Sequence, residues 1–102
     1  MELTIGRRAA FEIQEAFAHY EVEHAGLGAE FFRCVEAAGA QIQRNPLAQP
    51  LYYRDVHRLY LRRFPFSVFY IVGDQAIAVV AVFHSRRDPR DLFARLEEEG
   101  AS

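Results

Sequence analysis

With 102 residues, 51% of them apolar and 25% charged, the chain has the composition of one globular domain and not of a disordered segment. Its longest apolar run, residues 76–83, falls far short of the ~20 residues that cross a bilayer, no signal-like stretch opens the sequence, and the lone Cys34 excludes an internal disulfide. The twelve basic residues are all arginine, which leaves no amine except the N-terminus for lysine-dependent chemistry, and the net charge of −2 is too low for a general nucleic-acid coat. A soluble, cytoplasmic protein without a cofactor or metal cluster is expected, one domain over residues 1–102.

The small net charge hides a segregated distribution. Residues 1–53 hold four arginines against seven acids, residues 54–90 seven against three, and residues 91–102 one against four. A basic middle between acidic ends points to one anion-facing surface.

In chain order, residues 2–5 alternate as a short first strand, at an edge of the sheet or paired late, and Gly6 ends it. Over residues 8–24, Ala9, Ile13, Ala16, Phe17 and Tyr20 recur at three- and four-residue intervals, with Glu12, Glu15, Glu21 and Glu23 filling the remainder; this is an amphipathic helix. "AGLG", residues 25–28, supplies a tight turn, and helical spacing resumes in Phe31, Val35, Ala38 and Ile42 until Asn45-Pro46 stops it. So short a connection makes the two helices an antiparallel hairpin.

Residues 46–57 carry two prolines and no period and read as a loop. "HRLYLRRF" then alternates, with Leu59 and Leu61 on a core face and Arg58, Tyr60 and Arg62 on a basic, aromatic one. "FSVFYIV" and "AIAVVAVF" are strands joined by a turn at Gly73-Asp74, and the second, apolar almost throughout, is the candidate for a central strand covered on both faces. The fold class is therefore α+β: a short N-terminal strand, a helical hairpin, a three-stranded antiparallel sheet, and a short C-terminal helix over residues 91–99 before a frayed "EEEGAS". Leu61, Phe69 and Val80 are expected beneath the helical hairpin, with Phe64, Phe66 and Phe83 also in the core.

The arginine pairs Arg62-Arg63 and Arg86-Arg87 bracket the apolar hairpin. They are either solvated strand ends, Asp88 pairing with an arginine inside its own turn, or the two sides of an anion site to which Arg58 also contributes. If they bind a partner, Arg62→Ala and Arg87→Ala weaken association and leave folding nearly intact. Tyr52, Tyr53 and Tyr60 add aromatic area of the kind enriched in interfaces. His84 ends a strand beside arginines; it is either a general base or, more commonly for such a position, a histidine bonded to neighbouring backbone or to Asp88. His19, His24 and His57 lack metal-ligand spacing and are expected on the surface.

"RRFPFSVFY", followed one hairpin later by "AVFHSRRDP" and preceded by "GLGAEFF" on the helical hairpin, resembles the ParE branch of the ParE/RelE superfamily of type II toxins. The resemblance implies a small toxin neutralised by a ParD-like antitoxin whose C-terminal segment wraps around it, with higher-order toxin–antitoxin complexes and DNA gyrase as the inferred target. RelE-type relatives instead cleave messenger RNA on the ribosome with a basic set and a C-terminal tyrosine. Against that pattern Arg58 and Arg87 stand where two of the cations would be, but Tyr60, Ser67 and Phe93 replace a lysine, an arginine and the tyrosine. The proton-transfer apparatus is incomplete, so the resemblance favours a gyrase inhibitor that acts by binding over an endoribonuclease with an altered site built on Arg58, Arg87 and His84. Arg58, Tyr60, Arg62, Arg63, His84, Arg86 and Arg87 are the expected binding residues, with no catalytic residue.

Overall fold

A computed structural model describes residues 1–100. The element order is β1 (Glu2–Ile5), α1 (Arg7–Glu23), α2 (Leu27–Arg44), β2 (Leu51–Tyr53), β3 (Val56–Tyr60), β4 (Phe66–Val72), β5 (Ala76–His84) and α3 (Arg90–Gly100). The α+β class is as expected, but the sheet has five strands, in the order β1-β5-β4-β3-β2. β1 pairs with β5 in parallel at one edge, and the other pairings are antiparallel. The sequence reading missed β2 because three residues between a proline-rich stretch and a turn carry no period. α3 begins one residue before the expected helix and continues through Gly100, and the last two residues of "EEEGAS" lie outside the described residues.

The helical hairpin closes through two glycines. Gly26 takes a φ of 90°, a left-handed conformation that a side chain disfavours. Gly28 lies so close to α1 that an added Cβ would stand 2.7 Å from the Phe17 carbonyl oxygen, and its amide donates to Glu21 Oε1 at 2.8 Å. The hairpin covers one face of the sheet, where Tyr20, Phe31 and Phe64 meet edge to face and tilted, with centroids 4.8–5.6 Å apart. Leu59, Leu61, Val68, Tyr70, Ile77, Val79 and Val82 complete that core.

A second core fills the opposite face, where Val56, Phe69, Ala81 and Phe83 pack with Leu92 of α3. Leu61 lies beneath the hairpin as expected, but Phe69 and the half-buried Val80 belong to this second face. Phe69 is opposite Arg58 in the register and so shares its side of the sheet. On β5 the register slips: Phe69 faces Ala81 and Tyr70 faces Val79, leaving Val80 as an extra residue that points with Ala81 toward α3. The slip explains why the strand reads as continuously apolar. His57 is likewise corrected, from surface to 8% exposed, its ring stacked on Tyr70 and its Nδ1 2.7 Å from the Gln49 carbonyl oxygen.

Beyond Val79, β1 no longer covers the outer edge of β5, and side chains take its place. Glu12, on the buried stripe of α1, accepts from the Val82 amide at 3.0 Å, and Arg95 of α3 donates to the Val80 carbonyl at 3.0 Å. The two side chains also bond each other twice, at 2.7 and 3.1 Å, and Arg87 Nη1 donates to the same carboxylate at 2.7 Å. Glu12 is 7% exposed and Arg95 6%. Two predictions test this frame. Phe69→Ala should cost about 3–5 kcal/mol by denaturant unfolding, because it empties the core under α3. Glu12→Ala should cost about 3–5 kcal/mol by leaving a buried guanidinium unpaired, and Arg87→Ala should cost less, since Arg95 and the Val82 amide still hold the carboxylate; equal costs would refute the ranking.

Candidate functional site

On the α3 face, the ends of β3, β4 and β5 enclose a cleft of about 140 Å³. Alternation along the strands puts Arg58 and Tyr60 of β3, Ser67 and Phe69 of β4, and Phe83 of β5 on the same side. His84, Arg87 and Pro89 close the far wall. The Arg58 guanidinium lies between two rings, 4.3 Å from the centre of Tyr52 and 4.4 Å from that of Tyr60. Such stacking holds a cation in place without neutralising it. Among the described residues, no carboxylate oxygen comes within 4.0 Å of Arg58.

Arg87 faces the same cleft in a different state. It pairs with Glu12 at 2.7 Å and with Asp91 at 3.1 Å, and its guanidinium lies 4.0 Å from the centre of the Phe83 ring. Arg87 is thus bonded directly to α1, because the turn after β5 returns beside the edge that Glu12 covers. Asp88 does pair with an arginine close in sequence, but the partner is Arg90, whose hydrogen bonds hold the Asp88 carboxyl below its usual range.

The bracketing pairs do not converge. β4 separates β3 from β5, and Arg62 and Arg63 line a different groove, of about 290 Å³, between α2 and the end of β3. Arg63 pairs with Glu30 at 3.4 Å. Arg86 is exposed, and its amide donates to His84 Nδ1 at 3.0 Å. Of the seven expected site residues, Arg58, Tyr60, His84 and Arg87 share the cleft, with Tyr60 also lining the groove. Glu12 and Arg95, which fix the back of the cleft, were missed. Glu12 was legible as the third-residue neighbour of Ala9 on the apolar stripe of α1; Arg95 had no comparable signal.

The arrangement can bind an anion but is poorly equipped to move protons. With Nδ1 accepting from the Arg86 amide, a neutral His84 carries its proton on Nε2 and presents a donor, not a base. Ser67 is buried and uncharged, and Phe93 stacks on Tyr53 with centroids 4.1 Å apart, outside the cleft lining.

Comparison with known proteins accords with this geometry. The family model "ParE toxin of type II toxin-antitoxin system, parDE" matches residues 3–89, from β1 to the turn after β5. Among solved structures, the chain is similar to one from "Chromosomal ParDE TA system from P. aeruginosa", with a TM-score of 0.63 and 22% identity, covering 82% of this chain and 95% of that one. A search of curated protein sequences returns no match. With the family model spanning both faces of the sheet and the strands that form the cleft, the chain belongs to the ParE toxin family of type II toxin–antitoxin systems.

Proposed function

We propose that the protein is a cytoplasmic, single-domain toxin that acts by binding, with DNA gyrase as its target and a ParD-like antitoxin as its stable partner. Family membership supports the toxin and the antitoxin, and the resemblance to ParE supplies gyrase. The observation that weighs against RNA cleavage is the state of the cleft: Arg87 is held by Glu12 and Asp91, and His84 Nδ1 is occupied by a backbone amide. A phosphoryl-transfer site needs cations placed for the developing charge together with a group that takes the proton. Among the described residues, this cleft has one uncommitted cation, Arg58, and no placed base.

Binding through Arg58, Tyr60, Arg62, Arg63, His84, Arg86 and Arg87 needs no such group. A desolvated guanidinium–carboxylate contact at an interface is lost at a cost of ~2–5 kcal/mol when one partner is truncated, whereas Arg58 contributes little to the folded chain beyond its stacking. Arg58→Ala should therefore weaken antitoxin or gyrase binding with the melting temperature nearly unchanged. Arg87→Ala should lower both.

The deciding experiment is a gyrase supercoiling assay run beside ribosome-dependent cleavage of a defined messenger RNA. The expected result is inhibited supercoiling and an intact message. Cleavage at defined codons that disappears in Arg87→Ala would establish the endoribonuclease instead, and inactivity in both assays would refute gyrase as the target.

A further inference from the structure

The floor of the cleft is one small residue between two rings. Ser67 of β4 is opposite both Tyr60 of β3 and Phe83 of β5, so its side chain shares their face and the cleft opens above it. Ser67 is 4% exposed, and among the described residues its hydroxyl makes no hydrogen bond. Nor is it sealed away: among the described residues, the fully enclosed side-chain polar atom without a partner is Arg95 Nε. A hydroxyl left free at the base of a cleft is a donor for something outside the chain.

Two further donors come from the neighbouring strands. Arg58 of β3 is fixed by its tyrosines and, among the described residues, paired with no carboxylate. His84, at the end of β5, lines the cleft and in its neutral form carries a donor on Nε2. Arg87 also lines it, with its charge taken by Glu12 and Asp91. The cleft thus offers donors from three strands and one unneutralised positive charge.

We infer that the cleft holds a single phosphodiester group of a nucleic-acid strand, and holds it uncleaved. Charge selects the diester, whose one negative charge Arg58 alone balances, over a monoester, which carries about −1.5 to −2 near neutral pH. Donor placement selects phosphate over carboxylate, because phosphate oxygens diverge tetrahedrally and meet donors from several sides, whereas the two oxygens of a carboxylate share a plane. A cleft of about 140 Å³ takes one such group. The net charge of −2 fits that limit, since a longer run of phosphates would meet the acids around it. Tyr60, 59% exposed at the rim, offers ring area to the base beside the bound phosphate. The site rests on the cleft; that the strand it meets is the DNA held by gyrase rests on the proposed function.

A thymidine pentanucleotide without terminal phosphates, titrated into the isotope-labelled chain, is the probe. The Ser67 amide and the Arg58 Nε–H should shift, and acetate and inorganic phosphate should each bind at least about tenfold more weakly. A uridine pentanucleotide should bind alike and remain intact, because the site reads only the phosphate. Affinity should fall with salt at a log–log slope of about −0.7, the value for one neutralised phosphate on a single strand. Arg58→Ala should cost at least about tenfold in affinity, and Ser67→Ala, which removes the hydroxyl without adding volume, about threefold or more with the melting temperature nearly unchanged. If Arg58→Ala is unfolded, Ser67→Ala carries the test. Signals of Ser67 and Arg58 unmoved at the highest soluble pentanucleotide, acetate or inorganic phosphate binding as tightly, undiminished affinity in folded Ser67→Ala, or cleavage of the uridine strand would overturn the inference. A chain that inhibits gyrase and ignores the pentanucleotide refutes the phosphate site alone; one that binds the pentanucleotide and spares gyrase refutes the target alone.

Discussion

A single buried carboxylate holds the two faces of this protein together. Glu12 reaches from α1 past the outer edge of β5 and meets Arg95 of α3, which packs on the opposite face. Its four accepted hydrogen bonds come from a strand amide and two guanidinium groups at once. An ion pair so deep adds little net stability over a well-packed apolar pair, since both charges lose their hydration. What it supplies is geometry. An apolar pair would leave the Val82 amide and the Val80 carbonyl unbonded where β1 has ended, whereas the ionic pair acts as the missing piece of strand.

The back of the cleft depends on this junction. Arg87 and Arg95 both lie over the Phe83 ring, at 4.0 and 5.0 Å from its centre, and both are anchored to Glu12. Their charges are committed to the fold. Arg58, held among the described residues by aromatic faces and by no carboxylate, keeps its charge available to another molecule. Two arginines that look equivalent as sequence therefore differ in role according to whether an acid reaches them from within the chain.

Residue spacing showed the helices and the long strands because each has one apolar face and a regular period. The helical hairpin was legible down to its glycines. Where local order departs from a simple period, the reading failed for identifiable reasons. The slip at Val80 turns two consecutive residues to one face, which hides the alternation that would have put Phe69 and Val80 under α3. β2 is too short to show a period. The arginine pairs looked like one constellation because they flank one hairpin, but β4 lies between their strands, and pairing partners such as Glu12 and Glu30 come from distant helices. Arg58 and Tyr60 were legible because strand alternation alone separates them from the core.

The parallel pairing of β1 with β5 also governs how the chain can fold. The helical hairpin and the β3-β4-β5 meander close through short connections, but the Thr4–Ile77 bond spans 73 residues and the Glu12–Arg95 pair spans 83. Contacts of such separation carry a loop-closure cost that local pairings do not, and they are expected to form late. On emergence from the ribosome, the hairpin would wait with Glu12 unpaired by Arg95 until α3 had been made. The folded surface therefore exists only once α3 has been added, because Arg95 closes the junction that Glu12 opens.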